Sequence, residues 1–136
     1  MIKLIVGNKG SGKTKTLIDM INNSAKTTTG NIVCIEKGMQ MTYNIDYSVR
    51  LIDIANYDVS GFDMFYGFIT GVLAGNYDIT EIFVDATLRI GGRNMEELAA
   101  MIEKLDKVSE SSKVSLVFTV SCDVSDLPES IKKFVI

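Results

Sequence analysis

The chain has 136 residues, 46% of them apolar and 23% charged, with a formal charge of -3. That balance excludes a disordered chain or a coiled coil, and the scattered basic residues leave no cationic stripe for general nucleic-acid binding. With no histidine, and with Cys34 and Cys122 lacking the paired spacing of a zinc or redox motif, imidazole catalysis and a transition-metal centre are excluded as well.

The length suits a single domain spanning 1–136, able to bury about two thirds of its unfolded surface. No run reaches the roughly 18 apolar residues of a membrane span, and no leader pattern opens the chain, so a cytoplasmic protein without membrane insertion is expected. Both cysteines fall in apolar stretches and read as reduced packing residues.

"IKLIV", residues 2–6, reads as a short buried strand ending at Gly7. A helix follows over 12–22, with Leu17, Ile18 and Ile21 on one face and "NNSAKTTTG" as its polar exit. Apolar runs at 31–36 and 47–54 predict two more strands, while 37–46 between them has no clear period. Residues 61–76 carry Phe62, Phe65, Tyr66, Ile69, Val72 and Leu73 at helical spacing, predicting a largely buried helix. Its Gly67, Gly71 and Gly75 read as relief of crowding against a sheet and a helix end, with docking of another helix as the alternative.

"TEIFVD", 80–85, is a buried strand closed by Asp85. The clearest helix spans 94–110, where Asn94 can cap, Glu97 stands three residues on, and Met95, Leu98, Ile102 and Leu105 face inward. A strand at 113–121 and a short helix at "PESIKKF", with Pro128 in its first turn, finish the chain. Strands alternate with helices, and the strands are continuous apolar runs. The pattern predicts an α/β three-layer sandwich around a mostly parallel sheet of about five strands.

Between the first strand and the first helix stands "GNKGSGKT", residues 7–14, matching the Walker A pattern G-x-x-x-x-G-K-S/T in the context that pattern requires. Glycine costs more backbone entropy on folding than any other residue, so three of them need a reason. A phosphate cradle supplies it. Backbone amides from Asn8, Lys9, Gly10, Ser11 and Gly12 through to Lys15 would turn inward on phosphate oxygens, aided by the positive end of the helix. Lys13 would bridge the outer phosphates, and Thr14 would offer its hydroxyl to magnesium. The bland alternative is a glycine-rich turn without a ligand.

On these residues the chain resembles the P-loop NTPase superfamily. The resemblance implies that fold, ATP and Mg2+ as cofactors, and a second motif in which Asp85, closing "IFVD", holds magnesium, usually through water, alongside Thr14. In the ATPases it resembles most, an added strand lies between the P-loop strand and the Asp strand, and a Glu commonly follows the Asp. Here Ala86 and Thr87 follow, and neither can serve as a general base. Recombinase-like members place their Glu on a neighbouring strand, which points to Glu36, against a solvated strand-end charge as the simpler reading. Arg89 and Arg93, expected on a loop at the carboxyl end of the sheet, would clamp a phosphoryl group or act as an arginine finger towards a neighbouring subunit. The alternative is two surface arginines paired with acids. Ser121 occupies the place of a polar γ-phosphate sensor.

The lysine of the cell-division and partitioning variant would have to stand at Gly7, and no guanine-recognition motif is present, which favours ATP over GTP. The expected function is therefore a slow Mg-dependent ATPase whose site a protein partner or a homo-oligomer completes. Two rivals stand beside it. One is a small-molecule kinase of the nucleoside type, using Arg50, Arg89 and Arg93 on its acceptor. The other is a nucleotide-gated binding module with little turnover.

Overall fold

The computed structural model describes residues 1–38 and 44–136. Half of the stretch without a sequence period, residues 39–43, thus lies outside the described residues. The elements run in the order β1 (Ile2–Gly7), α1 (Lys13–Thr27), β2 (Asn31–Glu36), β3 (Arg50–Asp53), α2 (Phe62–Gly75), β4 (Ile79–Asp85), α3 (Thr87–Gly91), α4 (Met95–Ser112), β5 (Ser115–Ser121) and α5 (Glu129–Lys132).

One sheet joins the five strands in the order β1-β5-β4-β2-β3, and every pairing is parallel. β5 therefore separates β1 from β4. On the outer side of β1 the chain end adds a single parallel bridge, Leu4 to Val135, in which Leu4 N–H donates to the Phe134 carbonyl at 2.9 Å. Alternate residues of each strand feed two apolar clusters. Ile5, Cys34, Phe83 and Val117 pack with Leu17 and Ile21 of α1. Leu4, Ile35, Ile82 and Phe118 pack with Phe65 and Ile69 of α2 and Leu98 and Ile102 of α4. This is an α/β arrangement compatible with a three-layer sandwich, and burial on both faces explains the unbroken apolar strand sequences. No helix among the described residues is long and apolar enough to cross a membrane.

Local differences from the sequence expectation have local causes. α1 runs past residue 22 to Thr27 because its polar end finds tertiary partners. Ser24 Oγ donates to Glu81 Oε2 at 2.9 Å, and Asn22 bonds Asn44 O and Asp46 N–H, each at 2.8 Å. β3 is confined to four residues. Before it, the Asp46 carboxylate accepts from Ser48 N–H and Oγ, and after it Asp53 accepts from Ala55 N–H, starting a 3-10 turn over Ile54–Tyr57. Side-chain-to-backbone bonds of this kind compete with strand pairing.

In α2, only Phe62, Phe65 and Ile69 are buried. The crowding reading of Gly67 and Gly71 is overturned: both are exposed, and a Cβ at either would meet nothing within 4 Å among the described residues, whereas Gly75 ends the helix as expected. α4 follows the sequence closely, with Asn94 Oδ1 accepting from Glu97 N–H at 3.0 Å. Pro128 stands at the N-cap of α5.

The parallel sheet brings its carboxyl ends to one edge. Gly7 is in register with Ser121, and Glu36 with both Asp85 and Asp53. Side chains alternate along a strand, so Glu36 and Asp85 share the face of Cys34 and Phe83, the α1 side.

Candidate functional site

The loop from β1 into α1 is shaped by backbone that only glycine adopts cheaply. Gly10 and Gly12 have φ of 85° and 88°, and Gly12 is the left-handed N-cap of α1. A Cβ on Gly7 would collide with Ser11 Oγ, so the loop closes on itself where its first glycine stands. No side chain among the described residues caps α1, which leaves its first amides and its positive dipole end uncapped by any of them. Lys13 is 9% exposed, and its ammonium curls back to donate to Asn8 O at 3.0 Å and Ser11 Oγ at 3.5 Å.

Asp85 faces this loop from the end of β4. Thr14 Oγ1 donates to Asp85 Oδ2 at 3.3 Å, and Thr119 Oγ1 donates to Asp85 Oδ1 in a short bond. The Asp85–Ala86 peptide is cis. Between loop and strand ends lies a cleft of about 440 Å³. Lys9, Gly10, Gly12, Lys13, Thr14 and Lys15 line one wall, and Asp85, Ala86, Arg89 and Ser121 the other. Three lysines and an arginine thus face a single lining carboxylate, in a chain whose formal charge is -3. Cationic charge concentrated in a cleft raises the local concentration of anions.

The donor set also fits a hard cation. Thr14 hydroxyl and Asp85 carboxylate are oxygen ligands 3.3 Å apart at the cleft surface. No group of three or more Cys, Asp or Glu converges on a metal among the described residues. One carboxylate and one hydroxyl are a typical protein share for magnesium, which takes its other ligands from phosphate and water.

Glu36, expected as a solvated strand-end charge on the simpler reading, is buried, with 2% of its surface exposed. It neighbours Asp85 across the β2–β4 pairing but does not line the cleft. The Cys34 thiol registers both carboxylates: burial foremost, then the charges of Glu36 and Asp85, push its pKa up. Cys34 stays a protonated packing residue. Burial likewise raises the Cys122 thiol.

The arginines separate. Arg89, expected on a loop, stands exposed on α3 and lines the cleft. Arg93 follows α3, outside the cleft lining, and its Nη2 donates to Ser121 O at 3.2 Å. Arg50 opens β3, three residues before Asp53 in the strand-end row, about 10 Å back along the sheet.

Three further residues join the site that motif reading missed. Lys37, next to Glu36, donates to Arg89 O at 3.4 Å and ties the end of β2 to α3. Asp123, just past β5, bonds the Asn8 side chain. Its carboxyl is held below the usual range mainly by Ser125 N–H and Oγ, with Asn8 adding to the effect. Thr119 has a legible signal, being the polar member of the apolar run "LVFTV" on the face shared with Val117.

Thr87, the first residue of α3, is fully buried, and its hydroxyl has no hydrogen-bond partner among the described residues. An unpaired buried hydroxyl costs about 1–3 kcal/mol. Thr87→Val keeps the shape and removes the group, so it is expected to stabilise the unliganded protein by about 1 kcal/mol, a few degrees in Tm on thermal denaturation.

Compared with known proteins, the chain matches no protein-family model and no curated protein.

Proposed function

We propose that the chain is a P-loop NTPase of the added-strand type that binds ATP with Mg2+ and hydrolyses it slowly. The observation that carries this reading is the junction of β1 and α1: positive-φ glycines, an uncapped helix start and a folded-back Lys13, set beside the Thr14–Asp85 pair. Anions bind such helix starts because several amides and the helix dipole act together. The sheet order supports the same class, since β5 lies between the loop strand and the Asp strand.

In this reading the amides from Asn8 to Lys15 enclose the phosphates. The Lys13 ammonium leaves Asn8 O for the outer phosphate oxygens, and Thr14 and Asp85 hold magnesium. Bound magnesium supplies charge neutralisation on the phosphates. Slow turnover follows from Ala86, which lines the cleft where a base would be useful and offers none. Glu36 remains as the carboxylate on the same sheet face to polarise water. Arg89 is the exposed cation on the strand-end wall, available to a phosphoryl group or to a second subunit. Arg93 acts through Ser121, whose carbonyl it holds.

The nucleoside-kinase alternative loses Arg50, which lies well back from the strand ends. Titration of the purified protein with MgATP in a calorimeter tests the proposal. Saturable heat at one site per chain is expected, with GTP weaker. Absence of heat with every nucleoside triphosphate overturns it.

A further inference from the structure

The Asp85 carboxylate is gripped on both oxygens, and the two grips differ. Thr14, on Oδ2, is exposed on the cleft side, where solvent or a ligand can replace its bond. Thr119, on Oδ1, has none of its surface exposed. It sits on β5, with Ile5 of β1 as its register partner and β4 on the other side. Water cannot take over from that donor. Its strand neighbours Phe118 and Val120, and Val117 on the same face, are all buried and apolar. Packing alone does not call for a hydroxyl there, and burying one is unfavourable unless it is bonded. Val84 O, at 3.4 Å, offers a second and longer acceptor, so the short bond to the carboxylate is the preferred one.

We propose that Thr119 is the positioning residue that sets the metal affinity of the cleft: its hydroxyl locks Asp85 so that Oδ2 faces Thr14. This rests on the cleft being a magnesium–nucleotide site. A cation held by the Thr14 hydroxyl and, directly or through a water, by Oδ2 would displace the hydrogen bond between them and leave the Thr119 bond in place. The ligand oxygen is therefore aimed before the metal arrives. Groups that orient a metal-binding carboxylate in this way change metal affinity by about 10–100-fold when removed. Thr119 needs no contact with nucleotide to have this effect.

The test compares wild type, Thr119→Val and Thr119→Ser by calorimetric ATP titration, first in EDTA and then across a magnesium series. In EDTA all three are expected to bind ATP within about twofold of one another. For Thr119→Val, the magnesium concentration giving half of the metal-dependent gain in affinity is expected to rise at least tenfold. Thr119→Ser, which keeps the hydroxyl, is expected to stay close to wild type. An unchanged magnesium response in Thr119→Val overturns the role, as does an equal loss in both variants, which would make it a matter of packing. Wild type that binds ATP with no magnesium response also overturns it, while leaving nucleotide binding intact. No ATP binding by wild type overturns the nucleotide reading and this role together.

Discussion

Lys13→Ala is expected to lower the affinity for MgATP on the order of 100-fold while leaving the unliganded fold almost untouched. The two effects separate because the ammonium has different partners in the two states. In the empty loop it satisfies Asn8 O at 3.0 Å and reaches Ser11 Oγ at 3.5 Å. Both are neutral acceptors at the protein surface, so losing the bonds costs about 1 kcal/mol. With nucleotide present the same ammonium meets polyphosphate charge from a position already 9% exposed and largely desolvated. Removing one member of such a charge pair costs about 2–5 kcal/mol, which is a factor of about 30 to several thousand in affinity. Thermal denaturation with and without MgATP checks both halves: Tm without ligand falls slightly, and the ligand-induced rise shrinks by the equivalent of the lost affinity. Lys13→Arg is not expected to rescue binding. A planar guanidinium does not reproduce a compact ammonium folded under a tight loop.

The parts of the site that were legible in the sequence are those fixed by backbone chemistry and strand order. Gly10 and Gly12 are written as glycine because their φ values demand it, and Asp85 is written at the end of an apolar run because a buried strand must end there. The parts that stayed hidden depend on which strand lies beside which. Thr119 is 34 residues from Asp85, and nothing local announces that β5 inserts between β1 and β4. Burial of Glu36 is likewise a property of the completed sheet edge, not of "CIEKG". The glycines of α2 misled in the opposite direction. Their spacing suggested contact, yet the helix packs through Phe62, Phe65 and Ile69 and turns the glycines to solvent. A helical period identifies faces but does not say which of them meets the core.

Glu36→Gln is expected to reduce ATP turnover about 100-fold with nucleotide affinity changed by no more than a fewfold. The cleft lining offers one carboxylate, Asp85, which the metal would claim, and Ala86 beside it contributes no base. Glu36 is the neighbouring carboxylate, in register with Asp85 across β2–β4 and on the same sheet face. It is not part of the cleft lining, so its proton transfer would have to run through a water. General-base catalysis is worth about 10²–10⁴ in rate, and a buried relay at one remove belongs at the lower end. Gln keeps the size but removes the charge and the basicity and turns one accepting oxygen into a donating NH2, so the signature of a base is a fall in kcat at unchanged affinity. The complementary variant, Ala86→Glu, places a carboxylate directly in the cleft and is expected to raise kcat in the wild-type background and to restore it in Glu36→Gln. Steady-state phosphate release from the four proteins decides the matter. Equal kcat for wild type and Glu36→Gln removes Glu36 from the chemistry, and the cleft would then bind ATP without an internal base.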